Sequence, residues 1–371
     1  MNIKRVALLY GGRSVEHEIS IASASNIHRH LIDAGFIVYP IWISKTGRWY
    51  LQTATDMLLP HLSSDANELL LQMGKGILFK MNGEQLDIDI CFPIVHGSNG
   101  EDGVLQGVLD AARIPYVGSP VHSSALGMQK QFSKIIASHL GIPTSRWKTV
   151  DVATAKRMKE DATYLESFCM DDLFDFSDTI VLKPVDGGSS VGVHVVQRNA
   201  SDAVLHAINE VLSYSESCLI EPHITEMVEI ECGLLEEHGH LIVSGCGMVH
   251  NDDSTGLQFL SYEKKYDPTH CATMIIPAPI IDDHARRIRQ YAVQFGLAVN
   301  IRGFARVDFF YQPRTGIILF NEINTLPGMT ANSHFPRLMA HQGYTWEKIL
   351  LALFESATTR FSMMDSLKIN R

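Results

Sequence analysis

Strands and helices alternate along the first third of the chain, and this order constrains the fold more than any other feature. The apolar run Arg5 to Tyr10 ends at Gly11-Gly12, and a helical pattern follows from about Glu18 to His30. A second apolar run then spans Val38 to Ile43. A strand that is followed by a helix and another strand predicts a parallel sheet. We therefore expect an N-terminal α/β domain.

Two glycine-rich loops follow strands of this predicted sheet. Gly11 to Ser14 follows the first strand, and His96 to Gly103 follows the apolar run Ile88 to Val95. Open α/β sheets bind ligands outside the carboxyl ends of their strands, so we expect the two loops to line one cleft. Glu16 at the mouth of this cleft is suited to hold a substrate ammonium, or it is a helix-start acid that the macrodipole stabilises.

Length, charge and cysteine spacing narrow the classes of protein. A chain of 371 residues predicts two or three domains. A net charge of -10 argues against nucleic-acid backbones and anionic membranes as main partners. No apolar run reaches the roughly 18 residues of a transmembrane helix, and the start of the chain lacks the pattern of a signal peptide, which predicts a cytoplasmic enzyme. The scattered cysteines have no Cys-x-x-Cys spacing, and we interpret them as reduced, mostly buried thiols.

Two acidic segments near the C-terminal end predict a magnesium site. Arg306-Val307-Asp308 and Glu322-Ile323-Asn324 lie in apolar runs that flank Gln312 to Gly316, a segment typical of a hairpin loop. Alternate residues of a strand share a face, so both pairs can point the same way. With a five-residue loop, Arg306 would face Glu322, and Asp308 would lie diagonal to it. Asp, Glu and an amide oxygen are suitable magnesium ligands, although an ordinary charged hairpin fits the pattern too.

A glycine- and serine-rich loop, Asp186 to Gly192, lies between two apolar runs and follows Lys183. Backbone amides of such a loop can bind phosphate oxygens while the lysine supplies charge, and a flexible hairpin is the alternative. A Walker A loop has the reverse order, with the lysine after the glycines. Gly188 to Gly192 also fits the G-x-S-x-G pattern of hydrolases. That pattern needs a strand-to-helix turn, whereas Val193 to Val196 continues as a strand, which argues against a hydrolase.

The charged segment Tyr262 to Tyr266 carries two tyrosines and follows an apolar stretch that starts at Gly256. We expect this segment to be an exposed loop. A surface loop with aromatic residues is suited to act as a lid over a site, and an ordinary solvated loop is the alternative.

Taken together, these segments resemble one family, the D-alanine:D-alanine ligases of the ATP-grasp superfamily. The resemblance implies an α/β and α+β, three-domain ATP-grasp architecture with an N-terminal parallel-sheet domain. Its domains would span residues 1–121, 122–221 and 222–371, with ATP between the central and C-terminal ones. The matching segments run in order along nearly the whole chain: Gly11 to Ser20, His96 to Gly107, Lys183 to Gly192, Arg306-x-Asp308, and Asn321 to Thr330.

The resemblance also implies roles for individual residues at the substrates. Glu16, assisted by His96, would bind the ammonium of the first D-alanine, and Ser333 would meet the carboxylate of the second. Arg306 and the Gly328 amide would stabilise the oxyanion. The remaining implied contacts fall into two groups. At the ATP, Lys130 and Lys183 would contact the phosphates, together with Ser189 and Ser190 of the loop, and Glu221 and Glu229 would hold the adenosine part. At the metal site, two magnesium ions, or manganese in their place, would bind Asp308, Glu322 and Asn324.

The lid and one loop position bear on specificity. By resemblance, Ser189 and Tyr266 would link to Glu16 by hydrogen bonds that close the lid. A tyrosine at position 266 favours an amine as acceptor, because relatives that make D-alanyl-D-lactate differ there. Many family members carry a larger polar residue where this chain has Gly187, so the contacts of that loop differ here.

The implied activity is ATP-dependent ligation of two D-alanines to D-alanyl-D-alanine through an acyl phosphate, for peptidoglycan precursor synthesis. Relatives are commonly homodimers, so a homodimer is expected. Two alternatives stay open within the superfamily, namely another carboxylate–amine ligase and a D-alanyl-D-lactate ligase. A non-catalytic nucleotide-binding regulator is the alternative from a different class, and it would need no paired magnesium ligands.

Overall fold

The computed structural model describes residues 3–54, 57, 67–172, 177–250 and 273–368. The predicted lid, Tyr262 to Tyr266, therefore lies outside the described residues. The N-terminal part contains β1 (Arg5–Gly11), α1 (His17–Asp33), β2 (Ile37–Ile43), β3 (Trp49–Leu51), β4 (Leu69–Gln72), β5 (Ile77–Lys80), β6 (Gln85–Leu86), β7 (Ile90–Pro93) and α2 (Val104–Ala112).

The first sheet has the order β3-β2-β1-β7, and β1 pairs in parallel with both β2 and β7, as the sequence predicts. Alternate residues of β1 face opposite cores. Val6, Leu8 and Tyr10 pack with α1 and with the C-terminal helix, whereas Ala7 and Leu9 pack towards α2. The buried strand β1 therefore fixes the position of the loop that follows it. Strands β4, β5 and β6 form a separate small antiparallel sheet.

The second sheet is antiparallel, with the order β10-β9-β11-β8. The antiparallel pairing of β9 with β10 confirms that the glycine-rich loop joins two strands and is not a hydrolase elbow. This part contains α3 (Val121–Met128), α4 (Lys130–His139), β8 (Lys148–Asp151), α5 (Val152–Glu160), α6 (Ala162–Cys169), β9 (Thr179–Pro184), β10 (His194–Gln197), α7 (Ser201–Val211) and β11 (Ser217–Pro222).

The sequence predicts one helix from Ser123 to His139, and that prediction is wrong. The helix is interrupted at Gln129, whose backbone is extended with φ -85° and ψ 95°. The Lys130 amide donates to the carbonyl of Val185 at 2.8 Å instead of continuing the helix. The interruption thus joins the start of α4 to the end of the β9 strand, beside the glycine-rich loop.

The third sheet has the order β15-β14-β12-β16-β17, and β13 also pairs with β12. A single predicted strand from Leu241 to Val249 is two strands here, because one extra residue near Ser244 separates their pairings with β12. The elements are β12 (Val228–Glu237), β13 (His240–Val243), β14 (Gly247–His250), β15 (Thr273–Ile275), α8 (Asp282–Ala298), β16 (Phe304–Gln312), β17 (Ile317–Asn324), α9 (His334–His341) and α10 (Trp346–Asp365).

The acidic hairpin has a different register from the predicted one. Strand β16 extends to Gln312, which pairs with Ile317 and leaves residues 313–316 as the loop. A bulge between Asp308 and Phe309 shifts the pairing once more. Asp308 therefore lies opposite Glu322, and Arg306 lies opposite Asn324 rather than Glu322. The prediction that both acidic pairs share one face is confirmed, because directly opposed residues of antiparallel strands point to the same side.

Two further expectations concern cysteines and membranes. The five cysteines within the described ranges are free, buried thiols, as expected, and Cys271 lies outside those ranges. Among the described helices, none has the length and apolar character that crossing a membrane requires.

Candidate active site

Two glycine-rich loops converge on the carboxylate of Glu16. Glu16 lies at the start of α1 and is 7% exposed. A Cβ atom at Gly97 would lie 2.5 Å from Glu16 Oε2, and one at Gly188 would lie 2.9 Å from the same atom. The Ser189 hydroxyl donates a hydrogen bond to Glu16 Oε1. The structure thus brings the two predicted cleft loops together, because a Cβ atom at Gly97 would also lie 2.6 Å from Ser14 Oγ, and it adds the loop of Gly188 and Ser189 to the same place.

His96 connects this cleft to the C-terminal part of the chain. Its Nε2 lies 2.9 Å from Ser23 Oγ, and its Nδ1 lies 3.1 Å from the Leu326 carbonyl and 3.3 Å from Glu101 Oε1. Burial lowers the pKa of His96, but the hydrogen bond and charge of Glu101 outweigh it and raise the pKa above its usual value. Burial raises the pKa of Glu101 to about 7. The pKa values of both groups are therefore raised next to Glu16.

We expect Glu101→Gln to weaken the pH dependence of folding stability. The pKa of Glu101 is raised from 4.5 to about 7 in the folded protein, so its contribution to the free energy of unfolding is complete below pH 4.5 and is lost as the pH rises through about 7. The upper limit of this loss is about 3 kcal/mol. Urea unfolding of both proteins from about pH 5 to about pH 8 measures the difference. Equal slopes against pH in the two proteins would contradict the raised pKa of Glu101.

Two lysines bind Glu221 in the cleft between the second and third sheets. Lys183 Nζ lies 2.6 Å from Glu221 Oε2, and Lys134 Nζ lies 2.5 Å from Glu221 Oε1. Burial opposes ionisation of Glu221, yet the two ammonium groups hold the pKa of this carboxyl well below its usual range. Burial lowers the pKa of Lys134, whereas Glu221 and Glu322 raise the pKa of Lys183 against its own burial. Lys183 is therefore a fixed cation at the cleft.

A cleft with about 470 Å³ of empty space, part of it open to solvent, lies beside these charges. It combines apolar walls with polar groups at one end, an arrangement typical of small-molecule sites. Its lining includes Lys183, Glu221, Glu229, Ile224, Met227 and Phe310.

Lys130 contacts the glycine-rich loop near its start. Its Nζ donates to the carbonyl of Gly187 and lies 3.4 Å from Glu322 Oε2.

The backbone of the glycine-rich loop is strained. Ser189 and Ser190 both have positive φ, of 50° and 60°, a conformation that costs energy in residues with a side chain. A Cβ atom at Gly187 would lie 2.8 Å from that of Pro184, so a larger residue does not fit this loop conformation.

An acidic face is formed where β12, β16 and β17 pair. Arg306 donates to both carboxylate oxygens of Asp308, from Nε at 2.8 Å and from Nη2 at 2.7 Å. Glu231, directly opposite Asp308 on β12, lies 3.3 Å from Arg306 Nε. Asn324 Nδ2 donates to Asp308 Oδ2 at 3.1 Å. The predicted metal ligands and the predicted oxyanion group therefore share one surface.

The electrostatics of this face depend on burial. Asp308 is fully buried, which together with the charges of Glu231 and Glu229 raises its pKa to about 8 against the opposing charge of Arg306. The same carboxylates raise the pKa of Arg306 well above its usual value despite its burial. The face is a crowded group of like charges that one arginine neutralises only in part.

The donor set of this face fits a divalent cation. Carboxylate oxygens of Glu229, Glu231 and Asp308 lie within 4.8 Å of one another, and Glu322 lies across from Asp308. Magnesium prefers such hard oxygen ligands. Arg306 now holds both oxygens of Asp308, and Asn324 directs its amide nitrogen towards them. A bound cation would therefore compete with Arg306 for the charge of Asp308, and Asn324 would have to turn its amide oxygen towards the cation to act as a ligand.

The segment after β17 places Gly328 beside Ser333. A Cβ atom at Gly328 would lie 2.8 Å from Ser333 Oγ, which accepts a hydrogen bond from the Thr330 amide at 2.9 Å. Helix α1 holds this segment, because Asn26 Nδ2 donates to the Met329 carbonyl at 2.8 Å and the Met329 amide donates to Ser23 Oγ. The loop of the third sheet is thus positioned by the first domain of the chain.

Four residues with direct links to the site were not assigned roles from the sequence. Glu101 was part of a recognised motif only. Lys134 lies one helical turn after Lys130, and this i, i+4 spacing places both on one face of α4. Glu231 follows Glu229 by two positions on a strand, which places both on the same side. His334, whose Nδ1 lies 2.8 Å from Glu231 Oε2, gives no comparable signal in the sequence.

Comparisons with known proteins cover nearly the whole chain. Family models described as D-ala D-ala ligase N-terminus and D-ala D-ala ligase C-terminus match residues 5–119 and 136–355. The chain is 36% identical to D-alanine–D-alanine ligase A of Bradyrhizobium diazoefficiens, over 98% of this chain and 97% of that protein. It is 34% identical to the D-alanine–D-alanine ligase of Legionella pneumophila strain Corby, over 98% of both.

Solved structures agree with these relatives. The D-alanine-D-alanine ligase from Coxiella burnetii has a TM-score of 0.82 and 31% identity, over 98% of this chain and 97% of that one. The VanG D-Ala:D-Ser ligase from Enterococcus faecalis has a TM-score of 0.78 and 28% identity, over 96% and 100%. The expected combination of α/β and α+β parts in an ATP-grasp architecture is confirmed by this likeness. The protein belongs to the D-alanine–D-alanine ligase family.

Proposed function

We propose that the protein joins two D-alanines to D-alanyl-D-alanine and converts ATP to ADP and phosphate in doing so. The observation that carries this proposal is the convergence of the two glycine-rich loops on Glu16, beside a cavity that Glu101 and Gly188 share with Glu322 and Asn324 of the acidic face. The chain also matches D-alanine–D-alanine ligases over nearly its full length. The product would serve peptidoglycan precursor synthesis.

The nucleotide would occupy the cleft between the second and third sheets. Its apolar walls suit a planar base, with Glu221 and Glu229 at the adenosine part. Lys183 and Lys130 lie where they would neutralise phosphate oxygens, and the amides of the loop at Ser189 and Ser190 add hydrogen-bond donors. Magnesium, when bound by Asp308, Glu322 and Asn324, would withdraw charge from the transferred phosphoryl group.

The first D-alanine would bind beside Glu16. A buried carboxylate suits its ammonium group, and His96 would lie next to it. A carboxylate oxygen of this D-alanine would attack the terminal phosphorus of ATP, the bond to the β-phosphate oxygen would break, and ADP and an acyl phosphate would form. Arg306 would hold the charge that develops on the oxygen atoms.

The second D-alanine would attack the activated carbonyl through its amine. Ser333 would bind its carboxylate, and the Gly328 amide with Arg306 would donate to the tetrahedral oxyanion. Gly328 and Ser333 are neighbours, which supports a shared acceptor subsite. Tyr266 would complete a lid that excludes water from the hydrolysable acyl phosphate.

Domain limits, assembly and location complete the proposal. We place the domains at residues 1–121, 122–221 and 222–371, and we propose a homodimer that acts in the cytoplasm. Small-molecule substrates are the partners that the ligase relatives support.

We expect a mixture of the protein, ATP, magnesium and D-alanine to yield D-alanyl-D-alanine and an equal amount of phosphate. Mass spectrometry identifies the product, and D-serine and D-lactate in competition test the acceptor. Formation of no dipeptide and no phosphate would refute the proposed function. A product that contains D-serine or D-lactate in preference to D-alanine would redirect it to an alternative acceptor.

A further inference from the structure

The carboxylate of Asp308 would serve two positive partners, Arg306 and a divalent cation. Arg306 binds both of its oxygens, at 2.8 and 2.7 Å. A divalent cation at the acidic face would use a remaining lone pair on at least one of these oxygens. The cation then repels the guanidinium and takes part of the charge that compensates it, so a second carboxylate is needed to keep the buried Arg306 paired.

Glu231 offers Arg306 that second partner. Its carboxylate is buried, on the strand next to β16, and its Oε2 already lies 3.3 Å from Arg306 Nε. Its position directly opposite Asp308 means that the guanidinium reaches either carboxylate from the same backbone position. A small rotation of one side chain is sufficient to exchange the two partners.

His334 fixes Glu231 from the other side. Its Nδ1 lies 2.8 Å from the same oxygen, Glu231 Oε2, that faces Arg306. His334 is the first residue of α9 and immediately follows Ser333, the residue expected at the acceptor carboxylate. The chain of contacts therefore runs from the acceptor subsite through His334 and Glu231 to Arg306.

We propose that Glu231 is a positioning residue that receives Arg306 when the magnesium nucleotide binds, and that His334 holds Glu231 in place for this exchange. The inference rests on the proposed function, because it explains how Arg306 and Asp308 serve the same reaction. With Glu231 as its partner, Arg306 stays oriented towards the reacting oxygens while Asp308 is released to the cation. In this role Glu231 binds Arg306 and leaves the cation to Asp308, Glu322 and Asn324.

The direct test is cation binding to Glu231→Gln without turnover. The protein is titrated with Mn²⁺ in the presence of a non-hydrolysable ATP analogue, and unbound Mn²⁺ is measured by electron paramagnetic resonance. We expect binding that is about 10-fold to 100-fold weaker than in the unaltered protein, as for other groups that orient a metal ligand. Glu355→Gln is the matched control, because Glu355 pairs with His238 at 2.9 Å on the surface and should leave binding unchanged.

Kinetics at saturating magnesium give a second readout. Misplacement of Arg306 should lower kcat of Glu231→Gln by about 10²-fold, while KM for the first D-alanine stays near its original value. Loss of folded protein alone would lower kcat without changing Mn²⁺ affinity per binding site. Unchanged Mn²⁺ affinity and unchanged kcat in folded Glu231→Gln would overturn the proposal.

The His334 variants keep the proposal testable if Glu231→Gln does not fold. His334→Leu removes the contact with Glu231, and His334→Gln retains an N–H donor. We expect His334→Leu to weaken Mn²⁺ binding in the same direction and His334→Gln to restore most of it. Equal binding by both variants would overturn the role of His334. Failure of the unaltered protein to make dipeptide would instead refute the proposed function, and the Mn²⁺ titration would still report on Glu231.

Discussion

Asp308→Asn is expected to lower D-alanine-dependent ADP formation by about 10³-fold. The substitution removes a carboxylate that the proposed mechanism uses twice, as a partner of Arg306 and as a ligand of the cation. An amide oxygen supplies one neutral acceptor where the native residue supplies two charged ones. Arg306 loses its bidentate partner at the same time, so its orientation towards developing charge is weakened.

Asp308→Asn should leave the protein folded, so a loss of activity can be distinguished from a loss of stability. Burial raises the pKa of Asp308 to about 8, so a neutral side chain of the same shape relieves repulsion from Glu231 and Glu229. Glu231, whose Oε2 lies 3.3 Å from Arg306 Nε, remains a partner for the buried guanidinium. We therefore expect the free energy of unfolding to change by less than about 2 kcal/mol.

Phosphate release and urea unfolding measure the two effects on the same preparation of Asp308→Asn. Asp283→Asn is the matched control, because Asp283 pairs with Arg286 on the exposed side of α8. Activity close to that of the unaltered protein in folded Asp308→Asn would remove Asp308 from the proposed machinery.

Glu16→Gln is expected to lower kcat/KM for the first D-alanine by about 10²-fold or more. Loss of a buried charge that pairs with a substrate ammonium typically costs about 3 kcal/mol, which corresponds to that factor. The amide has one accepting oxygen where the carboxylate has two, and its nitrogen donates, so the hydrogen bond from the Ser189 hydroxyl is weakened or lost. Saturation with D-alanine should recover part of the rate, because the damage is mainly to binding.

Glu18→Gln provides a strict comparison for Glu16→Gln. Glu18 lies two residues away in the first turn of α1, but its side chain is exposed and pairs with Lys45 at 2.7 Å. Initial rates over a range of D-alanine concentrations measure both variants. If the two substitutions have equally small effects, Glu16 does not bind the substrate ammonium.

The strand and helix pattern was predictable wherever one period dominates the sequence. The sequence predicts a strand over Arg5 to Tyr10 and helices over Val104 to Ala112 and Asp282 to Leu297. Strand β1 and helices α2 and α8 lie within one residue of these bounds, because each segment has one clear apolar pattern. The helix predicted across Gln129 was wrong because its apolar spacing continues through the interruption. A hydrogen bond from Lys130 to Val185, far along the chain, decides the conformation there.

The site could be located from the sequence more readily than its internal contacts. Glycines that approach Glu16 mark the cleft, and alternation along β16 and β17 places their acidic groups on one face. The hairpin register was wrong because the bulge at Asp308 has no residue signature such as a glycine. The contact between His334 and Glu231 joins residues 103 positions apart, and no local sequence pattern predicts it.

The bonds that attach Leu326 and Met329 to His96, Ser23 and Asn26 also bear on biosynthesis. Asn26 and Met329 are 303 positions apart, so a ribosome must synthesise the chain beyond residue 329 before these bonds can form. Products of earlier termination lack the segment after β17 that these bonds attach. Such fragments cannot form the contacts that join His96 and helix α1 to the third sheet.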